Sequence, residues 1–219
     1  KRGHFSALAH CKIMIQMQRN VAKKVLTGSA NFSTNGLYVN SNHVIIFKNL
    51  KIAKLYSDLF DQSFGTENMK SFKGGDFSVK DHQILKTASS PKMTVTFAPH
   101  NKEDAGRIFD RLSQSIERAD ATDMLFAIMN DRSAGSILSS LRKQISNESV
   151  FSYGITDTIG KNDDDFAIFL YKPNSRKGIR VAARGISTNL PEPFGTVPNI
   201  DGYAIHPNFI VVNFKVSNP

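Results

Sequence analysis

The chain has 219 residues, of which 40% are hydrophobic and 21% charged, and this composition is typical of a globular protein. No apolar run approaches the roughly 18 residues that a helix needs to cross a bilayer. The lone cysteine, Cys11, excludes an internal disulfide and a cysteine-rich zinc site. The formal net charge of +9 favours negatively charged partners, namely nucleic acid, an anionic lipid surface or a phosphate-bearing substrate.

The first part of the chain is predicted to form short strands followed by a helix. Apolar and polar residues alternate, or β-branched residues cluster, in the predicted strands, and apolar residues recur at helical spacing in the predicted helix. In chain order these elements are a strand at 10–16, a turn at 17–24, a strand at 25–27, a strand at 42–47 and a helix at 49–60. The polar residues 61–92, with Gly74, Gly75 and Pro91, are predicted to be a linker.

The second part alternates strands with amphipathic helices. The predicted elements are strands at 93–98, 123–129, 150–156, 166–171, 179–183 and 209–214, helices at 102–119 and 136–145, and a loop at 186–202 that is rich in proline and glycine. Strands that alternate with helices indicate an α/β fold, in which helices cover a sheet.

Two short fragments carry residues suited to phosphodiester chemistry. His10 can attack phosphorus or protonate a leaving oxygen. Lys12, two residues further along a predicted strand, points to the same face and can hold the same phosphate. The next strand ends in Gly28-Ser29-x-Asn31, which offers small hydrogen-bond donors and a backbone that can approach closely. Together these groups can stabilise an anionic transition state without a metal.

These fragments resemble the signature of the phospholipase D superfamily, which is His-x-Lys-x4-Asp followed by Gly-Ser-x-Asn. Further along, residues 95–101 and 123–129 and the run His206-Pro-Asn208-Phe-Ile-Val-Val-Asn213-Phe resemble the start of a second repeat. The resemblance implies mixed β-sheets flanked by helices, built as parts of two pseudo-symmetric repeats. Residues 1–60 would be the C-terminal part of the first repeat, residues 61–92 the linker, and residues 93–219 the N-terminal part of the second.

The resemblance also implies a function and its residues. The expected activity is that of a phospholipase D-type phosphodiesterase, a hydrolase that cleaves a phospholipid or another phosphodiester through a phosphohistidine, with no metal or other cofactor. By motif position, His10, Lys12 and His206 would be catalytic. Ser29, Asn31 and Asn208 would bind the substrate phosphate, as Lys12 would too.

Three departures from the signature leave alternatives open. Met17 stands where the first motif has Asp, and Asn208 and Asn213 stand where the second has Lys and Asp. One alternative is therefore a catalytically impaired module of the same fold that binds phosphate or nucleic acid. Another is a homodimer in which each chain contributes His10 across a two-fold axis. Taken alone, His10 is also compatible with a structural core histidine.

Overall fold

The computed structural model describes residues 10–65, 68–88, 90–118, 123–128, 135–147, 149–156, 168–170, 179–181 and 208–213, and the structural statements below concern these residues. The chain divides into two compact units. Unit 1 comprises Lys1–Gly28 and His43–Ile108, and unit 2 comprises Ser29–Asn42 and Phe109–Pro219. Each unit is described by itself.

Unit 1 is built on a three-stranded antiparallel sheet in the order β1-β2-β3, with a helix that follows it in the chain. The tight turn between β1 and β2 is formed by Arg19 and Asn20, both with positive φ, and such a two-residue turn matches the twist of a hairpin. The elements are β1 (Ile13–Gln18), β2 (Val21–Gly28), β3 (Val44–Phe47) and helix α1 (Leu50–Gly65).

Helix α1 covers one face of this sheet. Its N-terminus is capped by Asn49, whose side-chain oxygen accepts hydrogen bonds from the backbone N–H groups of Lys51 (3.0 Å) and Ile52 (3.2 Å). The helix buries one stripe of residues in a core centred on Val25, which has no exposed surface. Burial of this stripe packs the helix against the hairpin, so that helix and sheet form two layers around one core.

Residues 61–92 are not an unstructured linker, and the structure corrects that prediction. The stretch contains the end of α1, two short helices and a strand, which are α2 (Met69–Lys73), α3 (Asp76–Val79) and β4 (His82–Ile84), and β4 pairs with β5 (Met93–Val95). Asn68 caps α2 by accepting from the Ser71 backbone N–H at 3.0 Å. Phe72 and Ile84 are buried in the core of unit 1. Burial of a few apolar side chains therefore stabilises a folded conformation in a stretch whose overall composition is polar.

Unit 2 contains a sheet in the order β10-β6-β7, in which β6 and β7 are parallel and β10 is antiparallel to β6. Its core includes Ile116, Met124, Phe126 and Leu141. Helix α4 (Lys102–Ile116) belongs to unit 2 from Phe109 onward. The other elements of unit 2 are β6 (Asp123–Ile128), α5 (Ser136–Ile145), β7 (Phe151–Thr156), the paired β8 (Ile168–Leu170) and β9 (Ile179–Val181), and β10 (Phe209–Val212).

The prediction of an α/β protein is confirmed, because helices and small sheets make up both units. The strands and helices predicted from periodicity are present, with ends that differ by a few residues. The largest shifts are at α1, which ends at Gly65 rather than at residue 60, and at β2, which begins at Val21 rather than at residue 25; β1 begins at Ile13 rather than at residue 10.

Candidate functional site

The β1–β2 hairpin brings Lys12 and Gly28, one residue from each fragment of the predicted motif, to one end of the sheet. The strands are antiparallel and Ile13 lies opposite Thr27. Lys12 immediately precedes β1, and Gly28 ends β2. The hairpin therefore presents the residue before one strand and the last residue of the next at the same end, although the two are sixteen positions apart in the sequence.

The side chains of His10 and Lys12 are not arranged by strand alternation. Both residues precede β1, so the expectation that they share a strand face is corrected. His10 is exposed, whereas Lys12 is only 8% exposed. The Lys12 ammonium donates a 2.7 Å hydrogen bond from Nζ to the backbone carbonyl of His10. A charge-assisted bond therefore ties the two residues together through the main chain.

Burial lowers the pKa of Lys12 below its ordinary value, and the nearby Cys11 side chain opposes part of that effect. Desolvation disfavours the ammonium, while a neighbouring anion favours it. A phosphate group near Nζ would therefore recover free energy that the buried cation has lost. Cys11 itself is exposed and forms no disulfide.

Position 28 requires a glycine because the backbone at the end of β2 passes very close to the backbone just before β3. Its φ is +152°, and a Cβ built on it would lie 2.2 Å from the backbone oxygen of His43. Real Cβ atoms essentially never approach another heavy atom closer than 3.0 Å. The glycine of the Gly-Ser-x-Asn motif thus permits a close approach of β2 to the backbone of His43, and its predicted role beside a phosphate stays a prediction.

The loop that follows Gly28 belongs to unit 2 and is held by its own side chains. Ser29 Oγ donates to the side-chain oxygen of Asn42 at 2.9 Å, and Asn42 Nδ2 donates to the carbonyl of Gly36 at 2.8 Å. The backbone of Asn31 also packs against Gly36. A short π-helix, Asn35–Val39, lies within the loop. Asn42 therefore fixes the Ser29 hydroxyl from thirteen residues away.

The predicted phosphate ligands Ser29 and Asn31 are both partly buried in this loop. Because its proton is directed at Asn42, the Ser29 hydroxyl has to exchange partners in order to donate to a phosphate. Asn42 was not predicted as a site residue. The signal in the sequence was an asparagine two residues before the strand that follows the loop, where a side-chain amide commonly bonds to a nearby backbone.

Tyr56 is a second group that motif reasoning did not identify. It lies on the buried stripe of α1, where burial raises the pKa of its hydroxyl, while a hydrogen bond with Thr27 lowers it and Cys11 raises it. Thr27 is the residue opposite Ile13 in the hairpin register. Tyr56 on α1 is therefore hydrogen-bonded to Thr27, at the end of the hairpin that carries Lys12 and Gly28. The spacing of residues in the sequence does not reveal this contact.

The second motif is only partly within the described residues. His206 lies outside them. Asn208 is exposed and directly precedes β10, and Asn213 follows β10 with a φ of +56°. The backbone N–H of Asn213 donates to the carbonyl of Asp123 at 2.9 Å, which extends the β10–β6 ladder by one bond. The predicted strand after His206 is therefore present as β10.

The described residues contain no cluster of three or more His, Cys, Asp or Glu side chains arranged to hold a metal ion. Among the helices in the same described ranges, none is both long and apolar enough to traverse a bilayer. Comparison with known proteins identified no matching family model, no matching curated protein and no matching solved structure.

Proposed function

We propose that the chain is a phospholipase D-type phosphodiesterase, and that its first catalytic motif consists of His10, Lys12 and the Gly28-Ser29-x-Asn31 turn. The observation that carries the proposal is the hairpin register, in which Ile13 opposes Thr27. This register sets the His-x-Lys fragment and the start of the Gly-Ser-x-Asn turn at one end of the sheet. In the finer fold assignment, residues 1–60 form the C-terminal part of one repeat and residues 93–219 the N-terminal part of a second.

Three local features support this assignment. The buried Lys12 ammonium gains from a nearby anion, because its pKa is lowered by desolvation. Gly28 has no side chain to obstruct the turn, and a Cβ there would collide with the backbone. Asn42 orients Ser29 within a loop that has no charged residue between Ser29 and Asn42. A cation, a glycine turn and an oriented hydroxyl are the groups that stabilise a phosphoryl transition state.

The proposed reaction has two balanced steps. In the first, an imidazole nitrogen of His10 attacks phosphorus, the bond from phosphorus to the leaving oxygen breaks, and a general acid protonates that oxygen. By motif position the acid is His206. In the second, water attacks the phosphohistidine, gives up its proton to the same residue, and releases the phosphate monoester and free His10. Lys12, Ser29, Asn31 and Asn208 would bind phosphoryl oxygens.

A binding module without turnover is the second candidate, and the residue at position 17 favours it. The side chain of Met17, which stands in place of the motif Asp, is 49% exposed and brings no carboxylate. Asn208 can donate a hydrogen bond but supplies no positive charge. Loss of one group from a cooperating catalytic set commonly lowers the rate by several orders of magnitude. Such a module would retain phosphate or nucleic acid without cleaving it.

Hydrolysis of bis(para-nitrophenyl) phosphate by the full chain and by His10→Asn tests the proposal. We expect the variant to lose roughly a thousandfold or more in rate, because the nucleophile is absent. Rapid quenching in alkali, where phosphohistidine is stable, should trap a phosphorylated wild-type chain and no phosphorylated variant.

The matched control is His100→Asn, in the same unit. The ring nitrogen Nδ1 of His100 lies 2.6 Å from the backbone oxygen of Ser78, and an asparagine retains a donor for that contact. Its hydrolysis rate should equal that of the wild type. Equal rates for wild type and His10→Asn would remove the phosphodiesterase proposal. Salt-dependent retention of an oligonucleotide with no cleavage by the wild type would instead support the binding module.

A further inference from the structure

The excess positive charge of the chain is confined to its first part. Residues 1–57 contain no Asp or Glu, whereas the remaining residues contain equal numbers of acidic and basic side chains. The whole net charge of +9 therefore belongs to this region. Its basic residues are Lys1, Arg2, Lys12, Arg19, Lys23, Lys24, Lys48, Lys51 and Lys54.

Within this region, the face of the β1–β2–β3 sheet that points away from the unit 1 core carries a row of aliphatic side chains. Met14 lies opposite Leu26, and Leu26 lies opposite Ile46, so that the three form one cross-strand row. Met14 is 57% exposed and Ile46 is 56% exposed. Val44, two residues before Ile46 on β3, is also exposed. These four residues define the outer aliphatic row.

Exposed cations border the row on one side. Lys24 lies opposite Gln16, one step along the strands from the Met14–Leu26 pair, and is exposed. Lys48 immediately follows β3 and is exposed, as is Arg19 in the hairpin turn. No acidic residue lies on any of these strands or on the turn between them. The outer face therefore combines an apolar centre with a border on one side whose charged residues are all cations.

We propose that this outer face docks on the surface of an anionic lipid bilayer, with the outer aliphatic row entering the headgroup region and the cationic border contacting lipid phosphates. Charge complementarity selects the occupant, since a border without a single carboxylate attracts an anionic surface. A second copy of the chain would present the same cations to it and be repelled. Nucleic acid is a poorer fit because the centre of the face is aliphatic, whereas single-stranded nucleic acid is bound by aromatic stacking.

The two parts of the face make separable contributions. A basic residue near an anionic bilayer strengthens binding by roughly fivefold, an effect that salt screens over about 8 Å at physiological ionic strength. Replacing both Lys24 and Lys48 by Gln should therefore weaken binding by about 25-fold. A carboxylate at position 46 removes an aliphatic contact and adds repulsion, so that Ile46→Asp should weaken binding by at least roughly tenfold. The proposal does not depend on phosphodiesterase activity.

Co-sedimentation with vesicles tests the docking face. The full chain is titrated at low salt with vesicles of phosphatidylcholine alone and with vesicles that also contain phosphatidylserine. We expect binding to the anionic vesicles, weakened by added salt, and little binding to the zwitterionic ones. The variants are K24Q with K48Q, and I46D, all at exposed positions where folding should be little affected.

Matched controls come from exposed positions of unit 1 outside this sheet. Lys70→Gln on α2 and Leu85→Asp after β4 change the same properties elsewhere, and both should bind like the wild type. Failure of the wild type to bind anionic vesicles at low salt would overturn the proposal. Equal losses in the controls and the face variants would also overturn it. The proposal would likewise be overturned if an oligonucleotide competes with vesicles for the chain and K24Q/K48Q no longer binds this oligonucleotide while I46D still does.

Discussion

Replacing Gly28 by Ala tests the close approach of main-chain atoms at the end of β2. Gly28 ends β2, pairs with Val44 at the start of β3, and has a φ of +152°. An alanine Cβ would lie 2.2 Å from the backbone oxygen of His43 and about 3.0 Å from Val44 Cα. Both neighbours are main-chain atoms, so no side chain can rotate away to relieve the contact.

The expected cost has two parts. A non-glycine residue held in a sparsely populated backbone region costs on the order of 1–3 kcal/mol. Relief of the contact requires β3 to move away from the end of β2, which sacrifices a ladder hydrogen bond whose net contribution is about 1 kcal/mol. Together these effects should lower the free energy of unfolding by about 2–4 kcal/mol, a large fraction of the roughly 5–15 kcal/mol typical of a folded protein.

Urea unfolding followed by far-UV circular dichroism measures this loss, since the chain has no tryptophan for fluorescence. The matched control is Gly106→Ala in α4, where an added Cβ meets nothing within 4 Å. That substitution should raise stability by roughly 0.5–1 kcal/mol, because alanine favours a helix interior over glycine. If Gly28→Ala unfolds at the wild-type urea concentration, the close approach inferred at the end of β2 is not present in the protein.

Three further substitutions test other contacts. Phe72→Ala should cost about 3–5 kcal/mol in the same urea assay, because its ring is 2% exposed, whereas a residue in a solvated linker would change stability by less than about 0.5 kcal/mol. Asn42→Ala removes partners from Ser29 and Gly36, so amide hydrogen exchange in residues 29–42 should accelerate, and unchanged protection would count against the bridging role. Glu117 accepts hydrogen bonds from Lys143 and Ser140, which lower its pKa below the ordinary 4.5. The stabilisation that the Glu117 carboxylate gives is thus present above pH 4.5 and is lost as the pH falls through the lower folded-state pKa. Glu117→Gln should therefore lower the free energy of unfolding at neutral pH and lower it progressively less in acid. A difference from wild type that is independent of pH would contradict this.

Periodicity was enough to predict most regular elements, because their patterns reflect burial of one face. Helices α4 and α5 and strand β6 were predicted in this way, and their apolar residues Ile116, Leu141 and Met124 lie in the core of unit 2. Periodicity failed in residues 61–92, where the buried Phe72 and Ile84 lie among mostly polar residues. Their burial depends on partners such as Val25 that are distant in sequence, and no local pattern reports such contacts.

The candidate site was predicted in its residue types but not in its contacts. Spacing identified Lys12 and Ser29, yet the hydrogen bond of Lys12 to the His10 carbonyl and the bond of Ser29 to Asn42 were not foreseen. The first arises because β1 begins only at Ile13, so alternation does not orient the preceding side chains. The second joins the two ends of a loop, and its geometry depends on how the whole loop closes.

The position of β10 has a consequence for biosynthesis. This strand completes the sheet of unit 2 by pairing Phe209 with Ala127, which lies far upstream. On the ribosome, β6 can pair with β7 soon after both emerge, but its other edge must wait until residues 209–212 have been made. During that interval an apolar strand offers open hydrogen-bonding groups to any neighbouring chain. Slow synthesis or crowded expression should therefore promote aggregation through β6, and a chaperone that shields extended apolar segments should raise the yield of soluble protein.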